Sequence, residues 1–145
     1  ERLRWDQISP NGLALSADEK TLYWVDTMQQ RISALDLQGP GMVTPQVGHD
    51  SGRVIVNLPG WQWPDGIALQ ADGRICAATL FDHGIKTIDP ETGAFEHTPM
   101  PDPITTNLCF GGPDMRTVWI TGSSTGKLYK YRWPHPGLRL NFQQG

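Results

Sequence analysis

The chain is 145 residues long, about the size of one domain. Its formal net charge is −3 and its 12 Lys and Arg residues are scattered, which argues against nucleic acid as a partner. No apolar run approaches the roughly 20 residues needed to cross a bilayer, so we expect no membrane partner. No signal peptide is visible and we expect a cytoplasmic location; because the chain opens at Glu1 rather than Met, a leader upstream of it is an alternative.

Glycine and proline punctuate the sequence. The 16 Gly and 12 Pro residues recur between apolar runs of a length typical of strands. No longer segment carries the 3.6-residue period of an amphipathic helix. The pattern therefore predicts an all-β chain with many turns.

The predicted strands form three blade-like units, about 9–60, 61–100 and 101–145. Arg2-Leu3-Arg4-Trp5 precedes them as a predicted edge strand, and Leu138–Phe142 closes them as a candidate fourth strand of the third unit. The other predicted strands are Gly12–Leu15, Leu22–Asp26, Arg31–Leu37, Val54–Leu58, Gly66–Gln70, Arg74–Thr79, Ile85–Asp89, Phe95–Thr98, Asn107–Gly111, Thr117–Thr121 and Lys127–Tyr131.

One short motif is written twice. Pro10-Asn11-Gly12 and Pro64-Asp65-Gly66 each lead into a small apolar strand, an Asp-containing turn and a second strand. Four short strands in about 40–50 residues is the pattern of a β-propeller blade, and propellers close with about four to eight blades. We therefore predict one partial β-propeller domain over 1–145. A second copy, in a homodimer, or a missing N-terminal half would complete the ring.

Propeller geometry predicts which loops share a face. The loop that leads into each first strand should lie beside the loop between the second and third strands. We expect the chemistry on this face, which the following side chains would occupy: Asn11, Asp26, Met28, Trp61, Trp63, Asp65, Phe81, Asp82, His83, Thr106, Ser123 and Ser124.

Asn11 and Asp65 are the candidate metal ligands. Amide and carboxylate oxygens suit calcium, magnesium or manganese and are tolerated by zinc, but two ligands do not complete a site. The alternative is that both motifs are ordinary turns, because Asn-Gly and Asp-Gly favour positive φ.

Other candidates are weaker. A loop histidine such as His83 is more often solvated than catalytic, although its near-neutral pKa suits acid–base work. Trp61 and Trp63 are either core residues or a platform for a sugar ring. Cys76 and Cys109 sit in apolar strands without metal-site spacing, so we expect both to be buried free thiols.

Four segments, taken in order, carry a resemblance to a known family. The chain resembles the gluconolactonase, senescence marker protein and luciferin-regenerating enzyme family, and the likeness runs to Gly126-Lys127-Leu128-Tyr129. The segments are Ser-Pro-Asn-Gly-Leu-Ala-Leu-Ser-Ala-Asp-Glu-Lys-Thr-Leu-Tyr (9–23), Pro-Asp-Gly-Ile-Ala (64–68), Gly-Ile-Lys-Thr-Ile-Asp-Pro-Glu-Thr-Gly (84–93) and Thr-Asn-Leu-Cys-Phe-Gly-Gly-Pro-Asp (106–114).

The resemblance implies a six-bladed propeller of which this chain is the C-terminal half. It implies a metal-dependent hydrolase of sugar lactones such as glucono-1,5-lactone, with calcium as the expected cation and zinc, magnesium or manganese as alternatives. The cation would act as a Lewis acid and lower the pKa of a bound water. Asn11 would be a neutral ligand and Asp65 both a ligand and the general base. A glutamate that the family supplies from its first blade has no counterpart here.

The candidate substrate-contacting residues are Asp26, His83, Trp63 and Thr106.

A rival hypothesis is a non-enzymatic binding propeller, because Leu22-Tyr23-Trp24-Val25-Asp26 resembles the Tyr-Trp-Thr-Asp repeat of receptor propellers. That repeat should recur in each blade, and here it does not. A phosphotriesterase-like hydrolase is a further alternative, since its metal ligands are of the same type.

Overall fold

A computed structural model describes residues 7–43 and 52–141, and the predicted strand at Arg2–Trp5 lies outside them. Regular structure within the described residues is almost entirely β, which confirms the predicted fold class. The strands are β1 (Pro10–Leu15), β2 (Thr21–Asp26), β3 (Arg31–Gly39), β4 (Met42–Val43), β5 (Arg53–Asn57), β6 (Trp63–Leu69), β7 (Ile75–Leu80), β8 (Gly84–Ile88), β9 (Phe95–Pro99), β10 (Thr105–Gly111), β11 (Thr117–Gly122) and β12 (Lys127–Arg132). None of the described segments forms a helix of the length and apolarity that a membrane span requires.

The strands form three antiparallel sheets, which we call blades 1, 2 and 3. Blade 1 has the order β1-β2-β3-β4, with β5 pairing to the other end of β3; blade 2 is β6-β7-β8-β9; blade 3 is β10-β11-β12. The two-residue strand β4 was not predicted. The first strands of the three blades, β1, β6 and β10, contact one another in turn and form an inner row.

Two apolar cores lie between the blades. One packs residues such as Val25 and Ile32 of blade 1 against Ile75 and Ala77 of blade 2. The other packs Cys76 and its neighbours in blade 2 against blade 3. Blade 2 is therefore covered on both faces, which explains why the residues of β7 and β8 are buried almost without a break rather than at alternate positions.

Cys109 is exposed, so the prediction that both cysteines are buried is wrong for this one. Along β10, Leu108 and Phe110 face blade 2, and the pleat turns Cys109 to the other face of blade 3. Cys76 is buried as predicted, and its burial raises the pKa of its thiol to about 11.

The C-terminal segment does not form the predicted fourth strand of blade 3. Residues 138–140 have no strand structure, and Phe142 lies outside the described residues. The backbone N–H of Leu138 instead donates to the carbonyl of Leu69, and that of Ala71 donates to Pro136. The segment thus crosses the end of blade 2 opposite the predicted site, because its backbone partners are there rather than on β12.

Candidate metal-binding site

Each inner strand carries a β-bulge at the same point. In β1 the register shifts between Pro10 and Leu13, so that Asn11 and Gly12 together lie opposite one residue of β2. The equivalent shifts lie between Pro64 and Ile67 in β6 and between Thr105 and Asn107 in β10. A bulge re-aims the side chain that it carries. The register therefore makes Asn11, Asp65 and Thr106 structurally equivalent in three successive blades.

The glycines of the repeated motif allow neighbouring blades to pack closely. Gly12 and Gly66 lie inside strands and neither has positive φ, so the alternative that the motifs are turns is wrong. A Cβ on Gly12 would meet the backbone carbonyl of Asp65 and approach the nitrogen of Ile67 to 2.9 Å. A Cβ on Gly66 would collide with the Asn107 side chain and lie 2.9 Å from the backbone carbonyl oxygen of Thr106. The motif is thus the place where neighbouring inner strands touch through their backbones.

The close approach brings two candidate ligands into contact. Asn11 Nδ2 donates a hydrogen bond to Thr27 Oγ1 at 3.2 Å, and the same side chain lies beside the Asp65 carboxylate, whose pKa it influences. Burial raises the pKa of Asp65, and the Asn11 side chain opposes that rise. Asn11 is exposed and Asp65 is half-buried, so the pair lies at the surface of the row with one carboxylate partly withdrawn from water.

Asp65 lacks the anchor that its counterparts have. In blade 1, Thr27 follows Asp26, which pairs with Pro10 just before the bulge, and the Thr27 hydroxyl accepts a hydrogen bond from Asn11. In blade 3, Ser123 holds the same position after Gly122, which pairs with Thr105, and the Ser123 hydroxyl is hydrogen-bonded to Thr106. In blade 2 the same position is Leu80, which has no hydrogen-bonding side chain. The carboxylate of Asp65 therefore keeps acceptor capacity for a ligand.

The donor set fits a hard cation, but only as part of a site. A carboxylate and an amide oxygen are ligands that calcium and magnesium accept, and both cations usually require six or more oxygens. Nowhere in residues 7–43 and 52–141 do three His, Cys, Asp or Glu side chains gather as a metal site would require. Asn11 and Asp65 would supply two ligands, and the assignment of both as metal ligands stays a prediction.

Asp26 is a positioning residue rather than a surface group. It is fully buried, so it does not reach a substrate from this position. Its carboxylate accepts hydrogen bonds from the backbone N–H groups of Ile8 (2.8 Å), Ser9 (3.2 Å) and Gln29 (3.2 Å). These bonds tie the loop before β1 to the turn after β2, and that turn carries Thr27, the anchor of Asn11.

Asp102 ties the corresponding loops together in blade 3, and the sequence analysis does not identify it. It is fully buried and accepts hydrogen bonds from Ile104 N (2.9 Å), Ser124 N (3.2 Å) and Thr125 N (2.9 Å). The position equivalent to Asp26 in this blade is Gly122, where a Cβ would meet the Asp102 carboxylate 2.6 Å away. The missing side chain of Gly122 is the signal that could have revealed it.

The candidate residues around Trp63 and His83 lie at the same end of blade 2 as Asp65. His83 is exposed in the turn between β7 and β8, where it and Phe81 both have positive φ. Trp63 is half-buried, stacks on Trp61 at 5.7 Å between ring centroids, and meets Phe81 edge-on at 5.5 Å. Trp61 is 73% exposed, so it is not a core residue. The rings form an aromatic cluster beside Asp65, and a role of Trp63, His83 or Thr106 in substrate binding stays a prediction.

The comparisons with known proteins agree with the arrangement of the three blades. Regucalcin of Xenopus laevis is 33% identical over 132 residues, an alignment that covers 88% of this chain and 42% of regucalcin. A regucalcin structure from Agrobacterium tumefaciens, named a calcium-binding protein, superposes with a TM-score of 0.74 at 22% identity over 93% of this chain and 51% of that one. A gluconolactonase structure from Xanthomonas campestris gives a TM-score of 0.68 at 27% identity over 92% and 39%.

Such relatives are six-bladed propellers, and this chain spans about half of their length or less. The three blades described above are therefore about half of the related ring. Residues 1–124 also match the family model for the SMP-30/gluconolactonase/LRE-like region. The chain belongs to the SMP-30/gluconolactonase/LRE-like family.

Proposed function

We propose that the chain carries two ligands of a divalent-metal site in a hydrolase that opens sugar lactones to aldonic acids. The observation that carries the proposal is the contact between Asn11 and Asp65 at equivalent bulges of adjacent inner strands. Family membership and the likeness to gluconolactonase support a lactonase-type reaction. The name regucalcin supports calcium as the cation.

The roles of the two side chains follow from their chemistry. Asn11 would bind the cation through its amide oxygen, and as a neutral ligand it would leave the positive charge of the cation largely uncancelled. Asp65 would bind through one carboxylate oxygen and use the other to accept a proton from the attacking water. When bound, the cation would act as a Lewis acid on the lactone carbonyl.

The free surface of the inner row supports completion by further blades. Leu13 is 65% exposed and Leu15 is 43% exposed on β1. They border a cavity of about 480 Å³ that Leu108, Cys109 and the C-terminal Leu140 also line. Large apolar side chains in such a cavity favour a covering partner. We propose that three further blades close the ring and supply the remaining ligands, among them a carboxylate.

A lactonase assay tests the proposal. The intact protein is assayed with glucono-1,5-lactone, with added calcium or after chelation, beside the variants Asp65→Asn and Asp72→Asn. Asp72 is a matched control, because it lies in an exposed turn and its carboxylate accepts the N–H of Arg74. We expect chelation to abolish hydrolysis, Asp65→Asn to lower kcat/KM by roughly a hundredfold or more because it removes the general base, and Asp72→Asn to behave as the parent. Full activity after chelation or in Asp65→Asn would overturn the proposal.

A further inference from the structure

Three hydroxyl groups gather at the bulge of blade 3. Thr106 Oγ1 lies 2.8 Å from Thr121 Oγ1 and 3.2 Å from Ser123 Oγ. Thr121 Oγ1 also donates to the carbonyl of Asn107 at 3.3 Å. Thr106 is half-buried, whereas Thr121 and Ser123 are exposed, so the group, which we call the hydroxyl cluster, is open to a ligand.

The place of the hydroxyl cluster in the fold links it to the candidate metal site. Thr106 occupies the same bulge position as Asn11 and Asp65, one and two blades away. Its contact with Ser123 repeats the contact of Asn11 with Thr27, between the same two structural positions and at the same distance of 3.2 Å. Three successive inner strands thus present an amide, a carboxylate and a hydroxyl in one row.

The backbone holds the hydroxyl cluster in position. The N–H of Ser123 donates to the carbonyl of Ile104 at 2.8 Å, which joins the turn after β11 to the loop before β10. The buried Asp102 fixes the same turn, and its Oδ2 accepts the Thr125 hydroxyl at 2.5 Å. A site held by such supporting bonds loses little conformational entropy when a ligand binds.

The chemistry of the hydroxyl cluster points to a neutral hydroxylated ligand. A hydroxyl both donates and accepts hydrogen bonds, so three of them can pair with the hydroxyls of a sugar in either sense. They carry no charge, so the cluster does not favour an anion over a cation. We propose that Thr106, Thr121 and Ser123 form the subsite that binds a ring hydroxyl of the substrate and selects polyhydroxylated over unsubstituted lactones. This inference rests on the proposed function.

The selectivity of hydrolysis is the first test. The intact protein is assayed with glucono-1,5-lactone and with δ-valerolactone, which keeps the ring ester but lacks the hydroxyls. The subsite predicts that Thr106→Val lowers the ratio of the two kcat/KM values by roughly three- to tenfold, the worth of one hydrogen bond. Thr106→Ser, which keeps the hydroxyl, and Thr117→Val should keep the parent ratio. Thr117 is a matched control on the same face of β11, at the other end of the strand.

Ligand binding is the second test, and it separates this inference from the proposed function. Saturation-transfer NMR compares the binding of D-gluconate and 5-hydroxyvalerate, the two ring-opened products, by the parent and the Thr106 variants. A preference for gluconate that Thr106→Val loses and Thr106→Ser keeps supports the subsite, even if neither lactone is hydrolysed and the proposed function fails. Equal binding of the two acids, or an unchanged preference in Thr106→Val, overturns the subsite.

Discussion

The Asn11 side chain lies beside the Asp65 carboxylate across the boundary between blades 1 and 2, where it opposes the rise in the pKa of Asp65. The two residues are far apart in sequence, and two β-bulges and the close approach of Gly12 to the next inner strand bring them together. A ligand pair that spans two blades depends on the packing between those blades. Changes at the boundary should therefore affect both stability and the site.

Gly12→Ala should destabilise the protein by about 1–3 kcal/mol, the usual cost of inserting a methyl group into packed structure. The new Cβ would meet backbone atoms of Asp65 and Ile67, which cannot rotate away as a side chain can. The free energy of unfolding from urea titration measures the effect. Gly39→Ala is the control, since its Cβ would meet only Met42 Sδ at 3.8 Å, and equal stability of the two variants would refute the packing argument.

The sequence shows that the motif is repeated but not why each copy needs a glycine. Pro-Asn-Gly and Pro-Asp-Gly marked equivalent points of two blades, and these points are equivalent by strand register. The sequence does not decide whether the motifs are turns or parts of strands, because a dipeptide such as Asn-Gly carries a local backbone preference and no information about the neighbouring blade. The need for glycine comes from the Asp65 backbone, which is distant in sequence.

Contacts that depend on tertiary structure were harder to predict. Asp102 lies in a proline-rich loop that reads as an ordinary connection, and only the space left by Gly122 shows that its carboxylate is buried. Cys109 has an apolar sequence context but faces away from blade 2, and the alternation of β10 does not say which face is covered. Leu138–Phe142 reads as a strand, yet its first backbone bonds go to blade 2.

Stability at acidic pH should depend on Asp102. Burial raises the pKa of its carboxyl, but hydrogen bonds led by the one from the Thr125 hydroxyl outweigh burial and leave the pKa below the ordinary 3.8. The carboxylate therefore contributes stability that is complete well above pH 3.8 and is lost as the pH falls through that value toward the lowered pKa. We expect Asp102→Asn to be less stable at pH 7 and to lose less further stability on acidification, as followed by thermal unfolding. An Asp102→Asn variant as stable as the parent at pH 7 would contradict this role.

His97 should titrate below the ordinary histidine range. Burial and the nearby Lys86 ammonium lower the pKa of His97, and Asp82, whose Oδ2 lies 3.4 Å from His97 Nδ1, opposes them without reversing the shift. The unfolded chain takes up this proton more readily, so stability should decline as the pH falls below 6.5, the ordinary value. NMR titration of the imidazole measures the pKa directly.

The variant Asp82→Asn sharpens that test. It removes the carboxylate that raises the pKa of His97, so the pKa of His97 should fall further than in the parent. Lys86 is 5% exposed at its side chain and has its Nζ 2.5 Å from Asp82 Oδ2, so the variant should also be less stable. A His97 pKa above 6.5 in the parent, or one that rises in Asp82→Asn, would show that the assigned causes are wrong.

Calcium titration by calorimetry tests the central claim most directly, with the intact protein, Asp65→Asn and the control Asp72→Asn measured side by side. Loss of a residue that only hydrogen-bonds to a metal ligand lowers the affinity for the metal roughly 10- to 100-fold. Loss of a carboxylate that binds calcium directly should lower the affinity at least as much. The account predicts a single calcium site whose affinity falls by at least that factor in Asp65→Asn and is unchanged in Asp72→Asn. Equal affinity of the parent and Asp65→Asn would contradict it.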